Sequence, residues 1–221
     1  MAFESTLLMS RFITHDVKQY VLEWPEGLDY EPGQGVELSI QEKDWEDEGR
    51  PFTPTCLRGE GVLEFTIKAY PEHDGVTKRL HLLAPGARLK LSEPFGTITY
   101  KGPGTSIAGG AGITPFLAIL RDLATNDSLD GHGLIFSNKT PADVICEREL
   151  RHYLGDRCIL TCTDESGAGY DDRIVDRAYL REKIADFDQR FYVCGPPKMV
   201  DDIGEALRQE GADPDALVFE Q

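Results

Sequence analysis

The sequence predicts two domains of different architecture: an antiparallel β-barrel over residues 1–101 and an α/β domain with a parallel sheet over residues 102–221. Two observations predict this. Up to Lys101 the chain reads as short β segments punctuated by glycine and proline, the pattern of a closed or nearly closed antiparallel barrel. After "KGPG" apolar strands alternate with helical stretches of ten or more residues, which requires parallel strands with helices on both faces.

In chain order, the barrel strands are read in "TLLMSRFI", "KQYVLEW", "GVELSI", "VLEFTIKAY", "RLKLS" and "TITY". Turns fall at "EPGQG" and "LAPGA", where glycine and proline supply the backbone angles a reversal needs. One helical candidate, "TKRLHLL", starts at Thr77. In the second half "TSIAGG", "GLIFSN", "CILTCT", "RFYVCG" and the terminal "ALVFE" read as strands. They alternate with helices in "ITPFLAILRDLA", "DVICERELRHYL", Val175–Ile184 and "PKMVDDIGEALRQEG". Ligands of such open sheets sit at the carboxyl ends of the strands.

Composition narrows the function. Net charge is −16, from 23 Lys plus Arg against 39 Asp plus Glu, which argues against a nucleic-acid surface. The acids, clustered at "QEKDWEDE" and "GYDDR", read as solvated loops; adaptation to high salt is the alternative. No apolar run reaches the ~18–20 residues of a membrane span, and "MAFESTLLMSRF" lacks the features of a signal peptide. A cytoplasmic protein is expected. Cys56, Cys146, Cys158, Cys162 and Cys194 match no zinc or iron–sulfur spacing, so no metal centre is expected.

Three motifs carry chemistry. In "GGAGITP", Gly109 to Pro115, glycines admit a ligand close to the backbone and the following helix N-terminus presents free N–H groups to an anion; a turn without a ligand is the other reading. In "YVCGPPKM", Tyr192 to Met199, a small thiol ends a strand where a flat ligand would lie, or is simply a buried apolar cysteine. In "RPFTPT", Arg50 to Thr55, a guanidinium suits phosphate, and Phe52 and Thr53 add an aromatic face and a hydroxyl. An edge strand interrupted by prolines accounts for it equally well.

With these motifs in this order, the chain resembles the ferredoxin–NADP reductase superfamily over nearly its whole length. Arg50, Phe52 and Thr53 match the family's Arg-x-Tyr/Phe-Ser/Thr flavin motif, Gly109–Pro115 its GGxGxTP loop, and Cys194–Pro196 its Cys-Gly-Pro turn. "EPFG", Glu93 to Gly96, matches a Gly-Pro-x-Gly turn with glutamate in place of the first glycine.

The resemblance implies a flavoprotein that passes electrons from NAD(P)H to a one-electron carrier such as flavodoxin or ferredoxin. It implies that Arg50 and the amides of Gly75, Val76 and Thr77 hold flavin phosphates. Phe52 would pack on the isoalloxazine and Thr53 would hydrogen-bond near its N5. Gly110, Gly112 and Thr114 would seat the nicotinamide nucleotide, with Cys194, Gly195 and Pro196 beside its reacting carbon. FAD is the expected flavin, with FMN the alternative. "LIFSNKTPADVI" resembles a stretch of the NADH-using branch, in which Asp143 would disfavour a 2′-phosphate, so NADH is expected over NADPH. Lys139 and Arg173 are candidate 2′-phosphate partners that pull the other way. A free-flavin reductase and a non-catalytic electron-transfer subunit are the alternative activities. The overall acidity would repel an acidic carrier, which makes Arg11, Arg58, Arg79 and Arg88 candidates for a basic docking face.

The family's last strand carries a glutamate near the reacting rings, followed two positions later by an aromatic that covers the outer flavin face. Glu220 falls at the glutamate, and the aromatic would fall at position 222, past the last residue given. The outer face is therefore expected to be open, or covered by a smaller group.

Overall fold

The computed structural model describes residues 2–70, 74–96, 98–165 and 167–219, with the backbone alone at Phe219. The first half forms one antiparallel sheet from β1 (Phe3–Phe12), β2 (Val17–Glu23), β3 (Gln34–Ile40), β4 (Arg50–Phe52), β5 (Val62–Lys68), β6 (Arg88–Leu91) and β7 (Phe95–Gly96). Its order is β4-β3-β6-β1-β2-β5, with β7 on β3. A bridge between Pro54 and Phe65, beyond the end of β4, brings the two edges together. The sheet is thus nearly closed, and its edges are covered. Period-2 alternation turns Leu63, Phe65 and Ile67 of β5 inward, where each is at most 2% exposed. Each such side chain contributes roughly 1.5–3 kcal/mol of apolar burial. The short helix α1 (Val76–Leu80) plugs the barrel with Val76 and Leu80.

The second half is a five-stranded parallel sheet of β8 (Gly104–Gly109), β9 (Gly133–Asn138), β10 (Cys158–Cys162), β11 (Arg190–Cys194) and β12 (Leu217–Phe219), in the order β10-β9-β8-β11-β12. It carries helices α2 (Thr114–Thr125), α3 (Glu147–Leu154), α4 (Arg177–Lys183) and α5 (Pro197–Gln209). The order reverses beside β8, which begins the sheet at its centre, so the β8 loop and its neighbours open a crevice at the strand ends. No helix among the described residues is long and apolar enough to cross a membrane.

The structure corrects three of the expected elements. Within "TITY", the described residues 98–100 form no strand. Instead Ile98 donates its N–H to the Gly33 carbonyl (3.1 Å), and Tyr100 stacks on His132 and Tyr192, pinning the passage between the two sheets. The helix expected from Asp143 begins only at Glu147. Pro141–Asp143 makes a separate 3-10 turn capped by Thr140, and Cys146 in a left-handed conformation (φ 53°) prevents the two from joining. The expected helix over Val175–Ile184 is trimmed to α4, whose start is set by Asp176 accepting the Tyr179 N–H.

Packing between the halves runs through α2. Seven of its residues are buried, and Ile119 presses against Gly33 of the barrel. A Cβ at Gly33 would stand 2.3 Å from the Ile98 carbonyl oxygen, and its φ of 95° also demands glycine.

Candidate functional site

A cleft of about 1010 Å³ opens between the barrel and the ends of the parallel strands. Barrel residues on its wall include Phe52, Thr53, Lys68, Tyr70 and Thr77. The opposite wall is built by Gly110, Gly112, Thr114, Asn138, Gly195 and Pro196. Motifs far apart in sequence therefore face one another across one space.

Local structure explains each wall. On β4 the strand period puts Arg50 and Phe52 on one side; Phe52 reaches the cleft, and so does Thr53, which is only 5% exposed. Arg50 does not line the cleft. Its half-exposed guanidinium donates to the Gly49 carbonyl (2.6 Å) and to Glu48 (3.3 Å). Gly75 caps α1, whose first turn has no side-chain cap. Of the expected phosphate-loop residues only Thr77 lines the cleft, and Val76 is in the barrel core.

On the α/β side, β8 ends in a 3-10 turn, Gly110–Ile113, that runs directly into α2 with Pro115 in the first turn. Gly110 has φ 52° and open space where a Cβ would be, leaving the backbone exposed to the cleft. Gly112 has the opposite reason for being glycine: a Cβ there would lie 2.4 Å from the Cys194 carbonyl oxygen. The two motif loops thus touch through their backbones. Cys194 itself is fully buried and does not line the cleft, whereas Gly195 and Pro196 do. Glu220 lies outside the described residues.

Asp143 lines the cleft, but its carboxylate is engaged. Oδ2 accepts from the Thr140 N–H (2.9 Å) and hydroxyl (2.7 Å), while Oδ1 lies 3.8 Å from His15 and 4.0 Å from Lys68. His15, Asp16 and Asp143 bring ligand-type atoms within 4.8 Å of one another. The Lys68 ammonium, 2.9 Å from Asp16, already supplies positive charge to that cluster. Burial opposes the charge on Lys68, yet Asp16 and then Asp143 outweigh it and hold its pKa above the usual lysine value. Asp16 moves the opposite way: burial would raise it, but Lys68 holds it below the ordinary carboxylate value.

The candidate 2′-phosphate cations separate. Lys139 lines the cleft, while Arg173 is outside it and is clamped by Asp171 (2.8 Å) and Glu182 (2.6 Å). The candidate docking arginines are similarly occupied, Arg58 by Asp29, Arg79 by Glu42 and Arg88 by Glu4. Arg11 is bonded instead to the neutral amide of Gln19 (2.6 Å).

Sequence reasoning passed over Asn138, His15, Asp16 and Lys68. Asn138 is the asparagine of the "LIFSNKTPADVI" stretch that resembles the NADH-using branch, but the resemblance gives it no role there. The other three belong to the barrel half, His15 and Asp16 to the turn between β1 and β2 and Lys68 to the end of β5, and only the fold brings them opposite Asp143.

The residues fit the expected groups. An exposed glycine backbone before a long helix suits a diphosphate. Asn138, 6% exposed, lines the cleft with both side-chain amide atoms unpartnered. The partly buried aromatic ring of Phe52 and the buried hydroxyl of Thr53 suit the flat, hydrogen-bonding ring of a flavin.

The comparisons agree with this geometry. Residues 4–100 match the oxidoreductase FAD-binding domain family, and residues 107–205 the oxidoreductase NAD-binding domain family. The chain is 30% identical to NADH-cytochrome b5 reductase 2 of Mycosarcoma maydis, over 95% of this chain and 66% of that protein. It is 28% identical to the reductase component of propane 2-monooxygenase of Rhodococcus jostii strain RHA1, over 89% of this chain and 56% of that protein. It therefore spans just over half to about two thirds of the length of these relatives. A ferredoxin NADP+ reductase from Neisseria gonorrhoeae, solved with FAD and NADP, shares the fold. Its TM-score is 0.82 at 21% identity, over 95% of this chain and 92% of that one. The chain belongs to the FAD- and NAD-binding oxidoreductases, its two halves matching those domain families in turn, and its fold is the one seen in the ferredoxin NADP+ reductase.

Proposed function

We propose that the chain is an NAD(P)H-dependent flavoprotein oxidoreductase. In this reading residues 1–101 bind FAD, residues 102–221 bind the nicotinamide nucleotide, and electrons leave to a one-electron carrier protein such as a ferredoxin or flavodoxin. The observation that carries it is the cleft, which sets Phe52 and Thr53 opposite Gly110, Gly112 and Pro196. The electron-transfer role is supported by the relatives, whose names describe a cytochrome b5 reductase and a monooxygenase reductase component.

A bound flavin supplies the chemistry, taking two electrons as hydride and releasing them singly. The chain supplies position. Phe52 covers one ring face, and the Thr53 hydroxyl hydrogen-bonds near the hydride-accepting atom. Arg50, released from the exposed Glu48, and the N–H groups of Gly75, Val76 and Thr77 hold the flavin phosphates. Gly110, Gly112 and Thr114 seat the dinucleotide diphosphate at the start of α2. Gly195 and Pro196 form the floor beside the nicotinamide, with the Cys194 thiol buried beneath them. Glu220 is assigned to orient the nicotinamide or relay a proton on the sequence resemblance alone.

NADH is the expected donor ahead of NADPH. Asp143 and Asp164 line the cleft on the β9 and β10 side, and their charge opposes a 2′-phosphate at short range, with Lys139 the counterweight. The effect is one of field, since the Asp143 oxygens are already hydrogen-bonded.

The test is purification followed by release and identification of the flavin. FAD retained through gel filtration is the expected result. Flavin lost on the column indicates instead a reductase that uses free flavin as substrate, and bound flavin without NAD(P)H turnover indicates an electron-transfer subunit that needs a partner. Protein that is colourless and gains no flavin on reconstitution contradicts the proposal.

A further inference from the structure

Among the described residues of the barrel half, Phe12 and Leu82 are the most exposed large apolar side chains, at 61% and 69%. His81 connects them: its ring stands edge-on to Phe12, 6.1 Å between centroids, and Leu82 follows it in the chain. Lys18, paired with Phe12 across the β1–β2 ladder, lies over the same ring at 4.7 Å and donates to the His81 carbonyl (2.9 Å). Single exposed apolar residues are ordinary. Two gathered around a lysine stem form a patch.

The charge of this patch runs against that of the chain, which is −16. Lys18 has a carbonyl and an aromatic face as its partners, and Arg11, exposed beside Phe12 at the end of β1, has the neutral amide of Gln19. Asp16 and Asp74, close by along the chain, are held by Lys68 (2.9 Å) and Lys78 (3.4 Å). Arg58, Arg79 and Arg88, by contrast, are each met by an acid of the chain itself. An apolar centre with charge at its rim is the layout of a protein interface, and cations at the rim select an acidic occupant.

The patch backs onto the cleft. His81 donates its Nε2–H to the Ile67 carbonyl (3.1 Å), and Ile67 lines the cleft, as does His15 of the turn between Phe12 and Lys18. An occupant therefore sits against the outside of the wall whose inside faces the flavin site assigned above. We propose that Phe12, Leu82, Lys18 and Arg11 form the docking surface for the one-electron carrier, an acidic protein that sets an apolar contact on Phe12 and Leu82. This rests on the reading of the chain as the reductase of such a carrier, and names where the carrier binds. Transient redox encounters bury less than about 1,200 Å², so a small patch with steering charge is enough. Repulsion from the distant acids is screened beyond roughly 8–10 Å, which leaves the local cations to choose the partner.

The experiment uses the full chain with its flavin bound, as wild type, Leu82→Asp, Arg11→Glu and Lys18→Gln, with NADH as donor. Three acceptors are compared: an acidic plant-type ferredoxin, two of which each NADH reduces with release of a proton; basic cytochrome c; and small, uncharged menadione. Leu82→Asp should lower kcat/KM for ferredoxin about tenfold, the loss of an apolar contact at the interface centre. Arg11→Glu and Lys18→Gln should each lower it about threefold, a loss that shrinks as salt is raised. Menadione reduction should be the same in all four proteins, showing the flavin and nucleotide sites intact. Equal ferredoxin rates in all four overturn the proposal, as does a loss of the same size with cytochrome c or menadione. A wild type that sediments as a dimer, with Leu82→Asp a monomer, also overturns it by giving the patch to a second copy. Wild-type protein that reduces menadione but not ferredoxin overturns the docking surface and leaves the oxidoreductase reading standing. Protein that reduces neither contradicts that reading itself.

Discussion

Arg121 of α2 donates an Nη1–H to Glu64 of barrel strand β5 across 3.0 Å. The same guanidinium donates to the Thr55 carbonyl and holds Glu149 of α3 at 2.6 and 2.9 Å. One side chain, 18% exposed, thus ties the barrel to the helix that follows the glycine loop. Burial disfavours its charge, but Glu149 and Glu64 outweigh that and raise its pKa.

Removing that guanidinium leaves two carboxylates without their counter-ion, although Glu64 still accepts from Thr55 and Gln19 and Glu149 from Tyr153. Breaking a buried pair from one side costs about 3–5 kcal/mol. Because these groups keep some exposure, the expected loss for Arg121→Met is near the lower end, about 3 kcal/mol. Chemical denaturation checks it, and a change under about 1 kcal/mol would show the network to be an incidental contact.

The same contacts set an acid limit. Burial would raise Glu149, but Arg121 holds it below its ordinary value, and Lys68 does the same for Asp16. For a depressed carboxylate the stabilisation is complete above the unfolded-state value, roughly 3.9–4.3, and is lost as pH falls through the lower folded value. The melting temperature of the wild type should therefore decline from these groups only below about pH 4. In Arg121→Met the acid decline should be shallower, since Glu149 no longer binds protons less readily in the folded state. Parallel melting curves across pH check this, and identical acid slopes would contradict the role given to Glu149.

Thr53 is the side chain assigned to the hydride-accepting edge of the flavin. Thr53→Val keeps its shape in a position only 5% exposed and deletes the hydroxyl. Loss of one hydrogen bond of about 1.4 kcal/mol corresponds to a tenfold slower flavin reduction. Stopped-flow reduction should show that decrease with the flavin retained; an unchanged rate would remove Thr53 from the mechanism.

Asp143 is expected to act on nucleotide choice through its charge. Asp143→Asn retains an oxygen to accept from Thr140 and removes the negative charge facing Lys68. An effect of about 1 kcal/mol at this distance and exposure would lower the ratio of kcat/KM for NADH over NADPH about fivefold. A ratio that does not move would place the preference elsewhere, with Lys139 or Asp164 as the next residues to exchange.

The barrel and the parallel sheet were legible because they rest on local patterns: inward-facing Leu63, Phe65 and Ile67 at period two, and strands alternating with helices. The glycine loop was legible because its chemistry is local too. What the pattern could not carry depends on neighbours. The delayed start of α3 follows from Cys146 adopting a left-handed backbone, which no composition signals. Asn138 reads as one polar residue in an apolar strand until the fold shows that nothing pairs with it. Lys68 and Asp143 are separated by most of a domain in sequence and meet only because the cleft is built from both halves. Arg50 shows the reverse case, a residue prominent in its motif that lies outside the cleft lining and bonds to Glu48.

The most direct test of the account is anaerobic titration of the purified, flavin-loaded protein with NADH and, in parallel, NADPH. The account predicts that the yellow colour bleaches with either nucleotide, faster with NADH, and returns on adding a one-electron acceptor. A bound flavin that stays oxidised with both nucleotides would contradict it.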